Sequence, residues 1–420
     1  MVRKRSFVLL SLLFFVLFIL TTNYLLIILP SGSEVRKPLT VEEKINYELS
    51  KLPAEYAIKP LIEDTTVDVF LENFKNIVKI EQLDLNHLWT ESNSWVFKSQ
   101  LINLTSPSLG KLFVALKKAK IISADVDTRG TQLKLLLTLE GNQLVVFKPQ
   151  WYEKERIIEG PVYAGKDRYS SEIVGFYLSV IFKKPLTPMS VARQLHLKRE
   201  IIPVATQRLS DTIFAKDNRT CFYGKCYFCK KEDAVCSDEN SILNGAVIFN
   251  FKAPLNNYRS PWQRTYKKGK KAMWQEYGEN YCKTIKEKLS KKRIYDLIDT
   301  AIFDFLIQNG DRHHYETIDD AVIWLDNGKG LGNPNVHHID ILAPLYQCCM
   351  LRRETWKILL GLTGGILREK LESMPDIHNL ITEDHLIAIE KRLLIVFSTI
   401  EYCKHQKQIE HYLLYFFFIN

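Results

Sequence analysis

The sequence predicts an α+β fold of two lobes, a small strand-rich lobe followed by a larger helical one, behind an N-terminal apolar anchor. Three observations carry this. Short β-like runs punctuated by Gly130, Gly141 and Asn142 fill residues 121–147. Helical spacing dominates beyond residue 270. Residues 7–29 form an apolar run long enough to cross a bilayer. The chain has 420 residues, 46% hydrophobic and 25% charged, which excludes collagenous, long disordered and multi-span membrane architectures. Its 57 Lys+Arg against 48 Asp+Glu leave +9, and five basic residues against one acidic fall within residues 1–40. The remainder is too mildly basic for a nucleic-acid binder, so no nucleic-acid partner is expected.

The run Phe7–Leu29 is interrupted only by Ser11, Thr21, Thr22, Asn23 and Tyr24. As a helix rising ~1.5 Å per residue it reaches about 35 Å. Arg3, Lys4 and Arg5 precede it, and basic flanks stay cytosolic. Residues 1–6 are therefore expected as a cytosolic tail, 7–29 as an uncleaved type II signal-anchor, and the rest as luminal. A cleaved signal peptide ending near Ser31 and Ser33 is the alternative, but its apolar core would be shorter. Ser31-Gly32-Ser33, Pro38, Pro53 and Pro60 mark residues 30–64 as a luminal stem. Eight cysteines suit an oxidising lumen. Cys221, Cys226, Cys229 and Cys236 read as two local disulfides rather than a zinc knuckle. Adjacent Cys348 and Cys349 are poorly placed to bond each other and need distant partners, with Cys282 and Cys403 left over. Asn103-Leu-Thr and Asn218-Arg-Thr are glycosylation sequons.

From about 65 to 120, Val67, Phe70, Phe74 and Val78 recur at helical spacing. Ile121–Val126, Gln132–Leu139 and Gln143–Phe147 read as strands, with Gly141-Asn142 as a hairpin signal. A helix is expected over Ser170–Phe182, another strand over Ile248–Phe251, and helices over Ile294–Gln308 and Leu380–Ile400. Residues 65–250 then hold a helical segment, the N-lobe and a disulfide-bonded insertion, and 251–420 the C-lobe. This is the element order of a kinase-like fold.

Lys148 closes a strand, where a stiff support would project its ammonium. Glu172, 24 residues on, opens a helix that could return a carboxylate to it. A strand lysine held by a helix glutamate aims positive charge at nucleotide phosphates. Asp311, in Asn309-Gly310-Asp311-Arg312-His313-His314, and Asp326, in Asp326-Asn327-Gly328, suit a division of labour. One would accept the proton of an attacking hydroxyl, the other would bind the divalent metal bridging the phosphates. Each has a plainer reading alone: solvated surface for Lys148 and Glu172, a common turn for Asp-Asn-Gly, a metal pair for the histidines. The four together favour phosphoryl transfer. Asp125-Val-Asp127 has the form of a sugar-nucleotide motif, but sits in a predicted strand and reads better as an edge pair. Lys267, Lys268, Lys270 and Lys271, like the Lys283–Arg293 cluster, read most simply as solvated faces, with attraction of acidic proteoglycan cores or an anionic membrane as the functional alternative. Trp262, Tyr266, Trp274 and Tyr277 could stack on sugars or pack in the core.

Arg129-Gly-Thr-Gln-Leu-Lys134, Val146-Phe-Lys-Pro149, Cys221-Phe-Tyr-Gly-Lys-Cys226, Gly310-Asp-Arg-His-His-Tyr-Glu316, Leu325-Asp-Asn327 and Ile341–Cys349 resemble the secretory-pathway kinases of the Golgi casein kinase family. The resemblance spans roughly residues 90–405. It implies an atypical bilobal protein-kinase-like fold in a single-pass type II Golgi membrane protein. Ser260–Tyr266, Leu297–Asp304 and Gly332–Cys349 are most similar to the glycosaminoglycan xylosylkinase branch, which phosphorylates the 2-hydroxyl of xylose in the proteoglycan linkage region. The implied partner is thus a galactosyl-xylose glycan on a core protein, with homo- or hetero-dimers of family members admitted. The implied cofactors are ATP and Mn²⁺, with Mg²⁺ as the alternative metal.

Position by position, the resemblance implies Asp311 as catalytic base and Asp326 as metal ligand. Lys148 would contact phosphate, with Gln132 near the nucleotide and Glu172 orienting Lys148 or reaching the metal. Glu316 would stand where conventional kinases have the catalytic-loop asparagine. Asp167 is a further metal or nucleotide candidate, and Val247, Ile248, Phe249 and Asn250 would form the hinge beside adenine. The family pairing implies Cys221–Cys236, Cys226–Cys229, Cys282–Cys348 and Cys349–Cys403. No G-x-G-x-x-G loop is present, and Asp-Asn-Gly replaces Asp-Phe-Gly, so little activation-loop regulation is expected. His337-His338 replaces acidic residues, which puts the polar contacts of the next helix start in question. A Ser-x-Glu protein kinase, a pseudokinase activator and a type II glycosyltransferase are the competing functions.

Overall fold

Gly141 and Asn142 have φ of 83° and 63°, the left-handed backbone that a tight hairpin requires and these residue types tolerate. They join β2 (Leu135–Leu139) to β3 (Gln143–Pro149). With β1 (Ile121–Val126), β4 (Ser190–His196) and β8 (Ile242–Phe249) these form one sheet in the order β1-β2-β3-β8-β4, every neighbour antiparallel. The period of two assigns its faces. Leu135, Leu137, Leu139, Val145, Phe147, Val247 and Phe249 fall on one buried face. Leu136, Val146, Lys148, Ala246 and Ile248 share the other.

The computed structural model describes residues 13–22, 39–61, 65–74, 79–97 and 100–406, in two units, Met1–Glu43 and Lys44–Asn420. In the first, residues 13–22 are helical. The expected tail 1–6, both ends of the 7–29 anchor and parts of the stem lie outside the described residues. Among the described residues no helix is long and apolar enough to cross a membrane.

In the second unit the helical stretch expected over 65–120 divides into Thr66–Glu72, Leu85–Ser94 and Leu109–Lys118. Asp84 caps the middle helix by accepting the His87 N–H, a boundary signal that the apolar spacing masked. Phe70 and Phe74 pack edge to face at 4.9 Å; Val78 lies outside the described residues. The strand expected from Gln132 starts at Leu135, and the one expected over Ile248–Phe251 is the end of the longer β8.

The helix Tyr169–Ile181 is buried all round from Ser170 onward, as an interior helix must be. It packs on β4, β8 and the helix Lys291–Ile307. That last helix starts at Ser290, whose hydroxyl accepts the Arg293 N–H, and ends where Gln308 turns left-handed at φ 58°. It packs against Ala343–Cys348 and the long Glu383–His405 helix. In a second sheet, β10 (His314–Ile318), after the turn at Gln308, pairs on one side with β11 (Ala321–Ile323) and on the other with β9 (Asn256–Arg259), which precedes the helix Lys291–Ile307.

All eight cysteines are paired, as Cys221–Cys236, Cys226–Cys229, Cys282–Cys348 and Cys349–Cys403. The first joins β6 (Arg219–Phe222) to β7 (Val235–Cys236) in a small sheet with β5 (Ile213–Lys216). No thiolate remains for a zinc knuckle. Cys349 adopts φ 47°, and the two adjacent cysteines reach Cys282 and Cys403 separately.

Candidate active site

Strand β3 carries Lys148 on the face opposite the buried Phe147, and the first turn of Tyr169–Ile181 returns Glu172 to it. The Lys148 Nζ lies 2.6 Å from Glu172 Oε1, 3.1 Å from Asp167 Oδ2 and 2.5 Å from Asp326 Oδ1. Lys148, Asp167 and Glu172 are buried, while the Asp326 side chain is 71% exposed. The cluster therefore opens to solvent on the Asp326 side. Burial works against the charge on Lys148, but Asp326, Glu172 and Asp167 outweigh it and hold the ammonium well above its usual range. Lys148 in turn, with Lys134 and Arg312, holds the Asp326 carboxyl well below its usual range.

Asp326 sits at φ 56°, a conformation uncommon outside glycine. Its neighbours fix it there. Asn309 Nδ2 donates to the Asp326 carbonyl at 3.3 Å, Ser171 Oγ to the Asn327 carbonyl at 2.7 Å, and Arg168 N–H to the Gly328 carbonyl at 2.7 Å. A Cβ on Gly328 would stand 2.7 Å from Asp167 Cγ, and one on Gly330 2.3 Å from Ser171 Oγ. Lys329 Nζ donates to the Gly165 carbonyl at 2.6 Å and lies 3.5 Å from Asp167 Oδ1.

Asp311 follows the left-handed end of Lys291–Ile307. Its neighbour Arg312 binds Asp304 through Nε at 2.9 Å and Nη2 at 2.6 Å, Asn327 Oδ1 at 2.8 Å and the Leu325 carbonyl. One buried guanidinium thus joins the helix, the Asp311 loop and the Asp326 segment. Burial opposes its charge, but Asp304 raises its pKa. The Tyr266 hydroxyl donates to Asp311 Oδ1. Burial raises the Asp311 carboxyl, and this hydrogen bond together with His313 and Lys329 partly offsets the rise. A Cβ on Gly310 would stand 2.2 Å from Val162 Cγ1, so glycine lets the 160–166 segment lie directly on this loop. An open cleft around Asp311 is lined by Trp262, Arg264, Tyr266, Asp304 and His313 among others. Glu316, on β10, accepts from Asn257 Nδ2 at 3.0 Å, and burial raises its carboxyl.

The structure therefore brings Lys148, Asp167, Glu172 and Asp326 together and puts Asp311 on the adjoining loop. Within 247–250, Ile248 shares the Lys148 face, whereas Val247 and Phe249 point to the opposite, buried face. Gln132 lines a small cavity with Leu133, Trp151, Tyr223, Phe228 and Cys229, beside the disulfide insertion. Lys134 instead stands in the field of the cluster. Burial and Lys148 lower its pKa, and Asp326, Asp127 and Asp167 oppose them. Sequence reasoning missed Lys134, Lys329 and the Arg312–Asp304 pair, and read Tyr266 as a sugar-stacking or core aromatic, not as a partner of Asp311. Alternation along β2 was the available signal for Lys134, whereas Tyr266 carried none. The Asp125-Val-Asp127 tripeptide is structural: Asp125 accepts from Thr206 Oγ1 at 2.6 Å and from Arg208, and Asp127 is held by Arg129. Trp262 and Trp274 are buried, and Tyr266 and Tyr277 exposed. At the doubtful helix start, His338 N–H donates to Gln308 Oε1 at 2.8 Å and Arg392 Nε to His337 Nδ1 at 3.3 Å. Burial and Arg392 push His337 down to about 4.

Asp167, Glu172 and Asp326 form a hard-oxygen donor set, the kind that suits Mn²⁺ or Mg²⁺. Among the described residues no three His, Cys, Asp or Glu side chains are grouped in ligand geometry; these carboxylates converge on Lys148 instead.

The Golgi casein kinase, C-terminal, Fam20 family matches residues 87–412. The chain belongs to this family. Its similarity to other Fam20 proteins extends over most of the chain. A glycosaminoglycan xylosylkinase homolog of Drosophila melanogaster is 44% identical over 324 residues, 75% of this chain and 77% of that protein. The glycosaminoglycan xylosylkinase of Homo sapiens is 43% identical over 331 residues, 76% and 80% of the two. Among solved structures, hydra Fam20 with sugar superposes with a TM-score of 0.73 at 38% identity, covering 77% of this chain and 97% of that one. The Golgi casein kinase with Mn/ADP bound gives 0.70 at 25% identity, covering 85% and 96%. The fold is thus the mixed α/β, kinase-like fold of Fam20 structures.

Proposed function

We propose that this Fam20 chain is an ATP- and Mn²⁺-dependent Golgi kinase that phosphorylates the 2-hydroxyl of xylose in the glycosaminoglycan linkage region, and so regulates glycosaminoglycan assembly. The observation that carries the reading is the convergence of Lys148, Asp167, Glu172 and Asp326 at one cleft with Asp311 on the next loop, in a chain 44% identical to a xylosylkinase homolog. Lys148 binds phosphate and Glu172 orients it. Asp326, with Glu172 and Asp167, holds the metal, which when bound neutralises charge on the transferring phosphoryl group. Gln132, Lys134, Ile248, Asn250 and Glu316 border the nucleotide. Asp311 accepts the proton of the xylose hydroxyl, its burial keeping the carboxyl more basic than an exposed aspartate. The division into an N-lobe within 65–250 and a C-lobe within 251–420, the type II anchor over 7–29 and assembly into dimers belong to the same proposal.

The test offers the full-length protein ATP, Mn²⁺, a galactosyl-xylose acceptor and a Ser-x-Glu peptide together. Transfer of the γ-phosphate to the sugar is the expected result. Preferential labelling of the peptide would make the chain a protein kinase of the family and overturn the sugar assignment.

A further inference from the structure

The loop Ser260–Ala272 is fastened to the Asp311 loop along its first half. Ser260 N–H donates to the His313 carbonyl at 2.9 Å, Arg264 Nε to the Gly310 carbonyl at 3.1 Å, and Tyr266 OH to Asp311. Trp262 and Trp274 anchor it from either side, through Gln347 Oε1 at 2.8 Å and the Gln263 carbonyl at 2.9 Å. Between these anchors Lys267, Lys268, Lys270 and Lys271 are all exposed. A turn groups them, with Lys270 N–H on the Lys267 carbonyl at 3.2 Å and Gly269 at φ 74°.

At the end of the other basic run of this lobe, Lys292 pairs with Asp296 and Asp320, and Arg293 with Asp320. Arg264, on the lysine loop itself, pairs with Asp340. Among the described residues no acid pairs with any of the four lysines. Four like charges on one short turn repel each other, and no described residue supplies a counter-charge at ion-pair distance. The turn begins one residue after the tyrosine that touches Asp311.

We propose that Lys267, Lys268, Lys270 and Lys271 form a docking surface for an acidic peptide segment of the glycosylated core, held beside the sugar whose hydroxyl reaches Asp311. This rests on the xylose-kinase reading given above. The location favours a peptide over an anionic membrane, because whatever carries the acceptor must bring its own chain to this rim. Exposed charges of this kind steer encounter and are screened by salt.

The experiment compares three acceptors on the full-length protein: free galactosyl-xylose, the same glycan on an Asp/Glu-rich peptide, and that glycopeptide with its acids changed to amides. With wild type, kcat/KM on the acidic glycopeptide should exceed that on the amide form about tenfold, the charged rim acting through encounter. The advantage should vanish near 1 M NaCl, where the Debye length is about 3 Å. The quadruple variant K267S/K268S/K270S/K271S should lose it through KM, with free-saccharide kinetics unchanged, and K268E/K270E should favour the amide form. Equal kcat/KM on the two glycopeptides with wild type, or an advantage that survives both variants, would overturn the proposal. So would loss of binding to phosphatidylserine vesicles in the quadruple variant with glycopeptide kinetics intact, which assigns the patch to a membrane. If no acceptor bearing xylose is phosphorylated, the kinase reading fails and the docking surface falls with it.

Discussion

Lys148 is 6% exposed and held by three carboxylates from two distant stretches of chain, 167–172 and 326, whereas Asp311 is met by the Tyr266 hydroxyl, from a loop carrying four lysines with no acidic partner among the described residues. The first cluster is over-determined: removing one partner leaves two to hold the amine. The second is set by a single hydroxyl contact and by the loop geometry that Arg312 imposes. A nucleotide arrives in one form, so its phosphate site can be rigid, while an acceptor carried on a larger molecule needs a more open approach. The contrast predicts that damage to the first region abolishes binding and chemistry together, and that damage to the second separates them.

The largest effect is expected from Asp326→Ala. Turnover should disappear together with Mn²⁺-dependent nucleotide binding, measured by ATP turnover and by calorimetry with Mn-ADP; retained metal-dependent affinity would break the contrast. Asp311→Ala should lower kcat by about 10²- to 10⁴-fold, the usual worth of a positioned base, while ADP affinity stays close to wild type. Arg312→Met leaves Asp304 buried without its cation, a loss on the order of 3–5 kcal/mol, to be read from the denaturant midpoint. A near-neutral result there would mean that the three segments are held together by packing instead.

Tyr266→Phe gives the smallest effect and the sharpest discrimination. As a base, Asp311 must be deprotonated, so kcat/KM should fall as pH drops through its pKa. Burial raises that pKa, and the Tyr266 hydrogen bond lowers it. Phenylalanine removes the lowering contact, so the acid limb should move to higher pH with little change on the plateau. An acid limb that stays in place would show that Tyr266 does not touch the base in the working enzyme.

Much of this was legible in the sequence where local chemistry and chain order agree. The Gly141-Asn142 turn, the strand position of Lys148 and the helix-opening position of Glu172 all follow from period and spacing. The resemblance to a family supplied the four disulfide pairings, which spacing left open. What stayed hidden depends on distant packing. Tyr266 reaches Asp311 across 45 positions of chain, with no pattern to announce it. The Arg129–Lys134 motif points to Gln132, whereas strand alternation places Lys134 on the face of Lys148. Over 65–120 the apolar spacing shows helical character but not where one helix ends and the next begins, a boundary that the cap at Asp84 sets.

The segment after Asp326 also bears on control. With Gly328 pressed on Asp167, Gly330 on Ser171, and the carbonyls of residues 326–328 already engaged, it could swing aside only by breaking these contacts. A phosphotransferase without such a swing has no resting posture from which a signal could release it. Its output should then track how much donor and acceptor it is given and how many copies are present.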